Sequence, residues 1–290
     1  YFSAASMAGN LLIFVFIIIF IAKFYERKQN NLAQKTSEVF EGMKLVSYKS
    51  FLATLFCSAI FTVVFLIPLG QLLIWSYAEN NFFSIENIYL IFNSLILGVI
   101  VSMVTIFFGI ALALAYRNEK KLRLIISVSS SGYAVPGSVI SAGLLVSIGY
   151  FFGVSITSFG IIGLVLCLSL RFMTPAYNYL SASLVNIKDS SEKALSTYSK
   201  DPMRAFKYFY LPHMKSATYL GLMIVFIESV KEQPATLLLR PVGFDTLSTK
   251  IYNFTSEGQW VMASNPSLML VFLSLIFVYM INKNINENKS

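Results

Sequence analysis

Histidine occurs once in these 290 residues and cysteine twice, too few for a zinc site or a disulfide framework. Cys57 and Cys167 both lie inside apolar runs and read as small buried hydrophobes. Charge is also scarce. Charged residues make up 12% of the chain, against roughly 25% in a soluble domain. No Gly-x-x-x-x-Gly-Lys-Ser/Thr phosphate loop is present, and one histidine supports no Ser-His-Asp constellation. The sequence therefore offers no catalytic residues, no metal ligands and no cofactor site, and it cannot hydrolyse ATP by itself. What is abundant is apolar surface: 56% of residues are hydrophobic, with 26 Phe and 16 Tyr, and the mean hydropathy is +0.69. Bilayer is the solvent that suits such a chain.

A span needs about 20 mainly apolar residues to cross the hydrocarbon core. Seven candidates follow: Met7 to Phe24, Phe51 to Tyr77, Asn93 to Tyr116, Leu124 to Tyr150, Ser155 to Ala182, Ala217 to Leu239 and Ala263 to Ile281. Pro136-Gly137 in the fourth and the charges of the sixth predict that these two are broken or buried against neighbours. The small residues Gly132, Ser138, Ser141, Ala142 and Gly143 allow close helix approach there. The stretch near Tyr1 lacks a basic n-region and a cleavage site, so it is no signal peptide. A chain that opens in mid-flow at Tyr1 reads as a piece of a longer one.

The net charge of +8 is spread over short loops, which excludes a nucleic-acid patch and encodes orientation instead. Lys23, Arg27, Lys28, Lys35, Lys44 and Lys49 follow span one; residues 78 to 92 carry no base. Arg117, Lys120, Lys121 and Arg123 follow span three, and none lies between spans four and five. Lys188, Lys193, Lys200, Arg204, Lys207 and Lys215 fill the loop after span five. By the positive-inside rule these basic loops and the tail are cytoplasmic, while Tyr1, Glu86 and Asp245 face outside.

The loop from Ile187 to Ala217 reads IKDSSEKALSTYSKDPMRAFKYFYLPHMKSA, and its local chemistry is helical. Ser190 or Ser191 caps a first turn, and Asp201 caps a second helix with Pro202 at its first position. Met203, Phe206 and Tyr210 recur at helical spacing until Leu211-Pro212, which ends the helix. On composition alone this is either an amphipathic connector on the inner leaflet or a docking knob for a cytoplasmic protein.

The loop resembles the signature loop of ABC importer permeases, the binding-protein-dependent transport inner-membrane components. That pattern is Glu-Ala-Ala, a Gly four residues after the second Ala, and Leu-Pro thirteen after it. Aligned on Pro202, Arg204, Phe206, Leu211 and Pro212, the first Ala is Ala194. Lys193 then stands in place of Glu, Leu195 in place of the second Ala and Ser199 in place of Gly, with Glu192 the nearest acid. The segment ESVKEQPATLLLRPVGFDTLSTKIY (Glu228 to Tyr252), the run GYAVPGSVISAGLL (Gly132 to Leu145) and the AYRNEKKLR loop are similar to iron(III) ABC permeases. The resemblance covers Asn93 to about Ala263.

It implies an all-α, multi-pass protein of the bacterial inner membrane, with six of about seven helices forming one permease half. Residues 1–24 would be the last helix of a preceding half and 25–50 a cytoplasmic linker. Residues 51–282 would be the permease domain, with the coupling loop at 187–212, and 283–290 a cytoplasmic tail. The implied partners are cytoplasmic ATP-binding subunits docking on that loop, an external solute-binding protein, a second permease half and membrane lipid. The implied cargo is iron(III). The alternatives are another solute in the same family, such as thiamine, sulfate or another anion, and a secondary transporter or channel working alone.

Charge within a span costs ~2.5 kcal/mol or more at mid-membrane, so it marks function by default. Glu228 and Glu232 share a helix face at i, i+4 in span six, with Lys231 between them and Pro234 beyond. They are either part of the cation path, since a hard cation prefers oxygen ligands, or members of a Glu–Lys pair that fixes packing. Arg171 is placed near the cytoplasmic end of span five, where it snorkels. His213 reads as a solvated or capping residue.

Overall fold

In the computed structural model the described residues are 47–118, 126, 132–153, 160–185, 187–188, 190–191, 195 and 201–287, with single positions at 9, 10, 13, 17, 18 and 21. All regular structure among them is helical. The chain divides into two compact units, Tyr1–Ala78 and Glu79–Ser290.

The first unit contains α1 (Ser47–Phe61), a π-helical turn (Thr62–Leu66) and the start of α2 (Ile67–Glu79). The wide turn directly precedes Ile67-Pro68. A proline lacks the N–H of the helical ladder and its ring collides with the carbonyl four residues back, so the preceding turn opens to accept it. Thr62 helps by donating its hydroxyl to the Ser58 carbonyl at 2.9 Å. Phe56 and Val64 are exposed, and so is Cys57, which corrects the expectation that both cysteines are buried.

The second unit holds α3 (Ile85–Asn118), a 3₁₀ turn (Gly132–Ala134), α4 (Gly137–Phe152) and α5 (Ile161–Val185). Next come α6 (Pro202–Ala205), a π turn (Phe206–Tyr210), α7 (Leu211–Lys231), α8 (Pro234–Leu239), α9 (Leu247–Ser256) and α10 (Trp260–Glu287). Its core is built on α5, whose Leu164, Leu168, Phe172, Ala176, Leu180 and Leu184 are buried at helical spacing. Leu97, Val101 and Ile106 of α3 and Met214 and Val225 of α7 close around that stripe.

Four helices among the described residues are long and apolar enough to span a bilayer: Tyr48–Glu79, Ile85–Arg117, Ile161–Val185 and Trp260–Ile285. The expected count of seven is not reached on that criterion. Span one lies almost wholly outside the described residues. In the fourth expected span, helix begins again at Gly137 after Pro136, and the sixth is interrupted at Glu232–Gln233, the two places where breaks are expected. The helix α10 continues to Glu287, into the residues expected as the tail.

One local expectation fails. Leu211-Pro212 does not end a helix: the π turn Phe206–Tyr210 opens ahead of it and leads directly into α7. The physical reason is the same as at Pro68, since a widened turn removes the clash that would otherwise break the helix.

Candidate functional site

Two helix breaks meet beside the middle of α5. At one, α7 ends at Lys231, and Glu232 turns to an extended backbone with φ −69° and ψ 117°. Pro234 then opens α8, where its missing N–H costs nothing. At the other, Pro136 precedes α4, which starts at Gly137.

Arg171 joins the two breaks. Its Nη1 donates to the Val135 carbonyl at 3.2 Å, and its Nε lies 3.4 Å from Glu232 Oε2, with side chains only 17% and 8% exposed. That contact is an ion pair without hydrogen-bond alignment, since Nε has no hydrogen-bond acceptor. Glu232 Oε1 accepts the Ala235 N–H at 3.4 Å. The Glu232 carbonyl, freed by the break, accepts hydroxyls from Thr236 at 2.8 Å and Ser248 at 3.1 Å. Gly137 leaves room for this packing: a Cβ there would meet the tips of the Glu232 and Arg171 side chains, which would have to shift.

Arg171 corrects the sequence reading. The helix runs from Ile161 to Val185, so Arg171 sits near its middle and is held by a carboxylate instead of snorkelling. A cation at that depth is the signal that could have found it. The expected sharing of one face by Glu228 and Glu232 also fails, because the helix ends between them.

Glu228 has different partners. Lys231 Nζ lies 2.9 Å from its Oε1, and the Tyr133 hydroxyl donates to its Oε2 at 3.3 Å. The Tyr133 N–H donates to Thr174 Oγ1 at 3.1 Å, and its ring centroid is 6.2 Å from that of Phe172. The trio thus stands at the level of mid-α5. The 25 residues of α5 span about 37 Å at 1.5 Å per residue, so that level is near the bilayer midplane. Yet Lys231 is 46% and Glu228 29% exposed. Exposed charges at that depth, at ~2.5 kcal/mol or more each in lipid, must face water or another polypeptide.

At the end of α3 near Ile85, the turn after α8 and the helix α9 pack against α3. The Phe244 N–H bonds the Pro241 carbonyl at 3.1 Å across a turn with Gly243 at φ 82°. Asn93 Nδ2 donates to the Asp245 carbonyl at 2.8 Å, the Leu247 N–H to Ser94 Oγ at 2.9 Å, and Lys250 pairs with Glu86 at 2.5 Å. Arg240 pairs with Asp245. Glu86 and Asp245 therefore lie at one end, as the charge alternation requires.

Of the expected coupling loop, Glu192, Lys193, Ala194 and Ser199 lie outside the described residues. Asp201 caps α6 through its carboxylate and the Met203 N–H at 3.0 Å, with Pro202 at the first helical position. Arg204 pairs with Asp201 across an exposed 3.4 Å contact, and Phe206 and Leu211 bracket the π turn. His213 Nδ1 bonds the Phe209 carbonyl at 2.7 Å. Sequence reasoning missed the residue that ties down the base of this loop. Arg117, at the end of α3, donates to the Leu184 carbonyl at 2.5 Å and the Ile187 carbonyl at 2.8 Å, satisfying orphan acceptors at the end of α5.

No family model matches the chain. It is 28% identical over 295 residues to the Fe(3+)-transport system permease protein FbpB 2 of Haemophilus influenzae, covering 97% of this chain and 57% of that protein. It is 27% identical over 203 residues to the ferric transport system permease protein FbpB of Actinobacillus pleuropneumoniae, covering 64% and 29%. The chain thus spans about half the length, or less, of these relatives. Among solved structures it matches a chain of a bacterial alginate ABC transporter in complex with a pentasaccharide-bound periplasmic protein, at a TM-score of 0.63 and 16% identity, covering 80% of this chain and 92% of that one. A chain of the MetNI methionine ABC transporter, in inward-facing conformations, matches at a TM-score of 0.52 and 16% identity, covering 70% and 98%. The chain has the fold of ABC transporter membrane subunits.

Proposed function

We propose that this chain is a ferric-ion permease of an ABC importer in the bacterial inner membrane, a conduit that uses the energy of separate ATPase subunits. The observation that carries the reading is the match to a ferric permease along 97% of the chain. The mid-depth cluster of Tyr133, Arg171, Glu228, Lys231 and Glu232 supports a water-filled path beside α5 and α7. Glu228 is the acidic residue that lines that path, and Glu232, held by Arg171, stands behind it in the wall. The loop 187–212 is the ATPase-docking element, with Glu192, Lys193, Ala194, Ser199, Pro202, Arg204, Phe206, Leu211 and Pro212 as its contact residues. An external binding protein delivers the cargo to the end that carries Glu86 and Asp245. Residues 1–24 read as the last helix of a preceding half, and a second half completes the conduit.

Uptake by cells with the permease gene deleted and then restored tests the cargo. Restored uptake of radiolabelled ferric citrate, with thiamine and sulfate uptake unchanged throughout, is the expected result. Restoration of thiamine or sulfate uptake instead would replace iron as the cargo and leave the permease reading standing.

A further inference from the structure

We infer that Tyr133 and Glu228 form the point in the conduit where a hard trivalent cation exchanges water for protein oxygen, and that Lys231 is a built-in substitute cation that keeps this contact weak. The inference rests on the ferric reading above and deepens it.

Glu232 is not available to cargo. It is 8% exposed, and both carboxylate oxygens are taken, one by Arg171 and one by the Ala235 N–H. Glu228 is open, and its two oxygens point at different partners. Oε2 faces the Tyr133 hydroxyl at 3.3 Å, so two oxygens from separate elements converge where a hard cation would prefer them. Oε1 holds Lys231 Nζ at 2.9 Å. The ammonium neutralises Glu228 while no cargo is present. A more highly charged cation displaces it, the ammonium turns back into water, and the phenol proton passes to water. When the cargo moves on, Tyr133 takes a proton back from water and Lys231 returns to Glu228.

Such competition suits transit. A conduit needs contacts favourable enough to enter and weak enough to leave. A storage site would gather more ligands, and no group of three or more His, Cys, Asp or Glu able to hold a metal occurs among the described residues.

The test is initial-rate uptake of ferric citrate by the full-length permease in its transporter, in cells lacking other ferric routes, normalised to permease abundance. Lys231→Met removes the competitor, so KM and kcat should both fall about two- to five-fold, the worth of a half-exposed ion pair. Glu228→Gln should raise KM about tenfold or more by loss of a charged ligand. Tyr133→Phe should raise it less, and gallium(III) should compete with iron in the wild type but poorly in Glu228→Gln. A purely structural trio predicts lower abundance with unchanged KM in every variant, and that result overturns the inference. If Lys231→Met does not accumulate, Lys231→Arg decides: a firmer grip on Glu228 raises KM, and an unchanged KM overturns the inference. Failure of the wild type to take up ferric iron defeats the cargo reading and this inference together. Normal wild-type uptake with an unmoved KM in the Lys231 variants defeats this inference alone.

Discussion

Arg171→Met should cost this protein more than any substitution on its lipid-facing surface. The variant leaves the Glu232 carboxylate, 8% exposed, with only the Ala235 N–H as a partner. With an effective dielectric of about 20, opposite charges 3.4 Å apart attract by about 5 kcal/mol. Measured costs of removing one member of a buried pair run to about 3–5 kcal/mol, because the survivor stays charged and dry. Glu232→Gln should lose a comparable amount, since Arg171 keeps no carboxylate, only the Val135 carbonyl and the Phe172 ring. The double variant Arg171→Met/Glu232→Gln removes both charges and should recover most of the loss, to within about 1–2 kcal/mol of wild type. Reversible unfolding in mixed micelles across the four proteins gives the coupling energy, expected at about 3 kcal/mol or more. Additive single effects, each below about 1 kcal/mol, would refute the claim that this pair ties α5 to both helix breaks. Gly137→Ala adds an internal check. Its Cβ would collide with the Glu232 and Arg171 side-chain tips, so it should destabilise the wild type and do less harm in the double variant, whose side chains are uncharged and free to repack.

Two further outcomes are expected. Arg117→Ala should loosen the base of the loop 187–212 by removing two charge-assisted hydrogen bonds to carbonyls, each worth ~1.5–3 kcal/mol; limited proteolysis should cut that loop faster while the membrane-embedded fragments stay intact, and an unchanged cutting rate counts against the anchor. Phe206→Asp and Ala194→Asp should abolish co-purification of the ATPase without removing the permease from the membrane, and retention of the ATPase by both variants would dismiss the docking role.

The long apolar helices were legible because membrane burial writes itself into consecutive residues. So were the local devices: Asp201 before Pro202, the interruption at Pro136-Gly137, and the break before Pro234 all follow from neighbours in the chain. The site was legible only in part, and the reason is geometric. Lys231 is the cation adjacent to both glutamates in sequence, which made it the natural partner for either. Continued helix would have kept Glu232 on the face of Glu228. Instead the helix ends at Lys231, the backbone of Glu232 becomes extended, and its side chain leaves that face for Arg171, 61 positions earlier. Lys231 is left to Glu228 alone. No periodicity encodes that exchange of partners, because it depends on where a helix stops relative to a helix elsewhere in the chain. The same holds for Tyr133, whose hydroxyl meets Glu228 from 95 positions away. The break that hides these pairings from the sequence also separates two like carboxylates: it leaves Glu232 dry and paired with Arg171, and Glu228 half-exposed beside Tyr133 and Lys231.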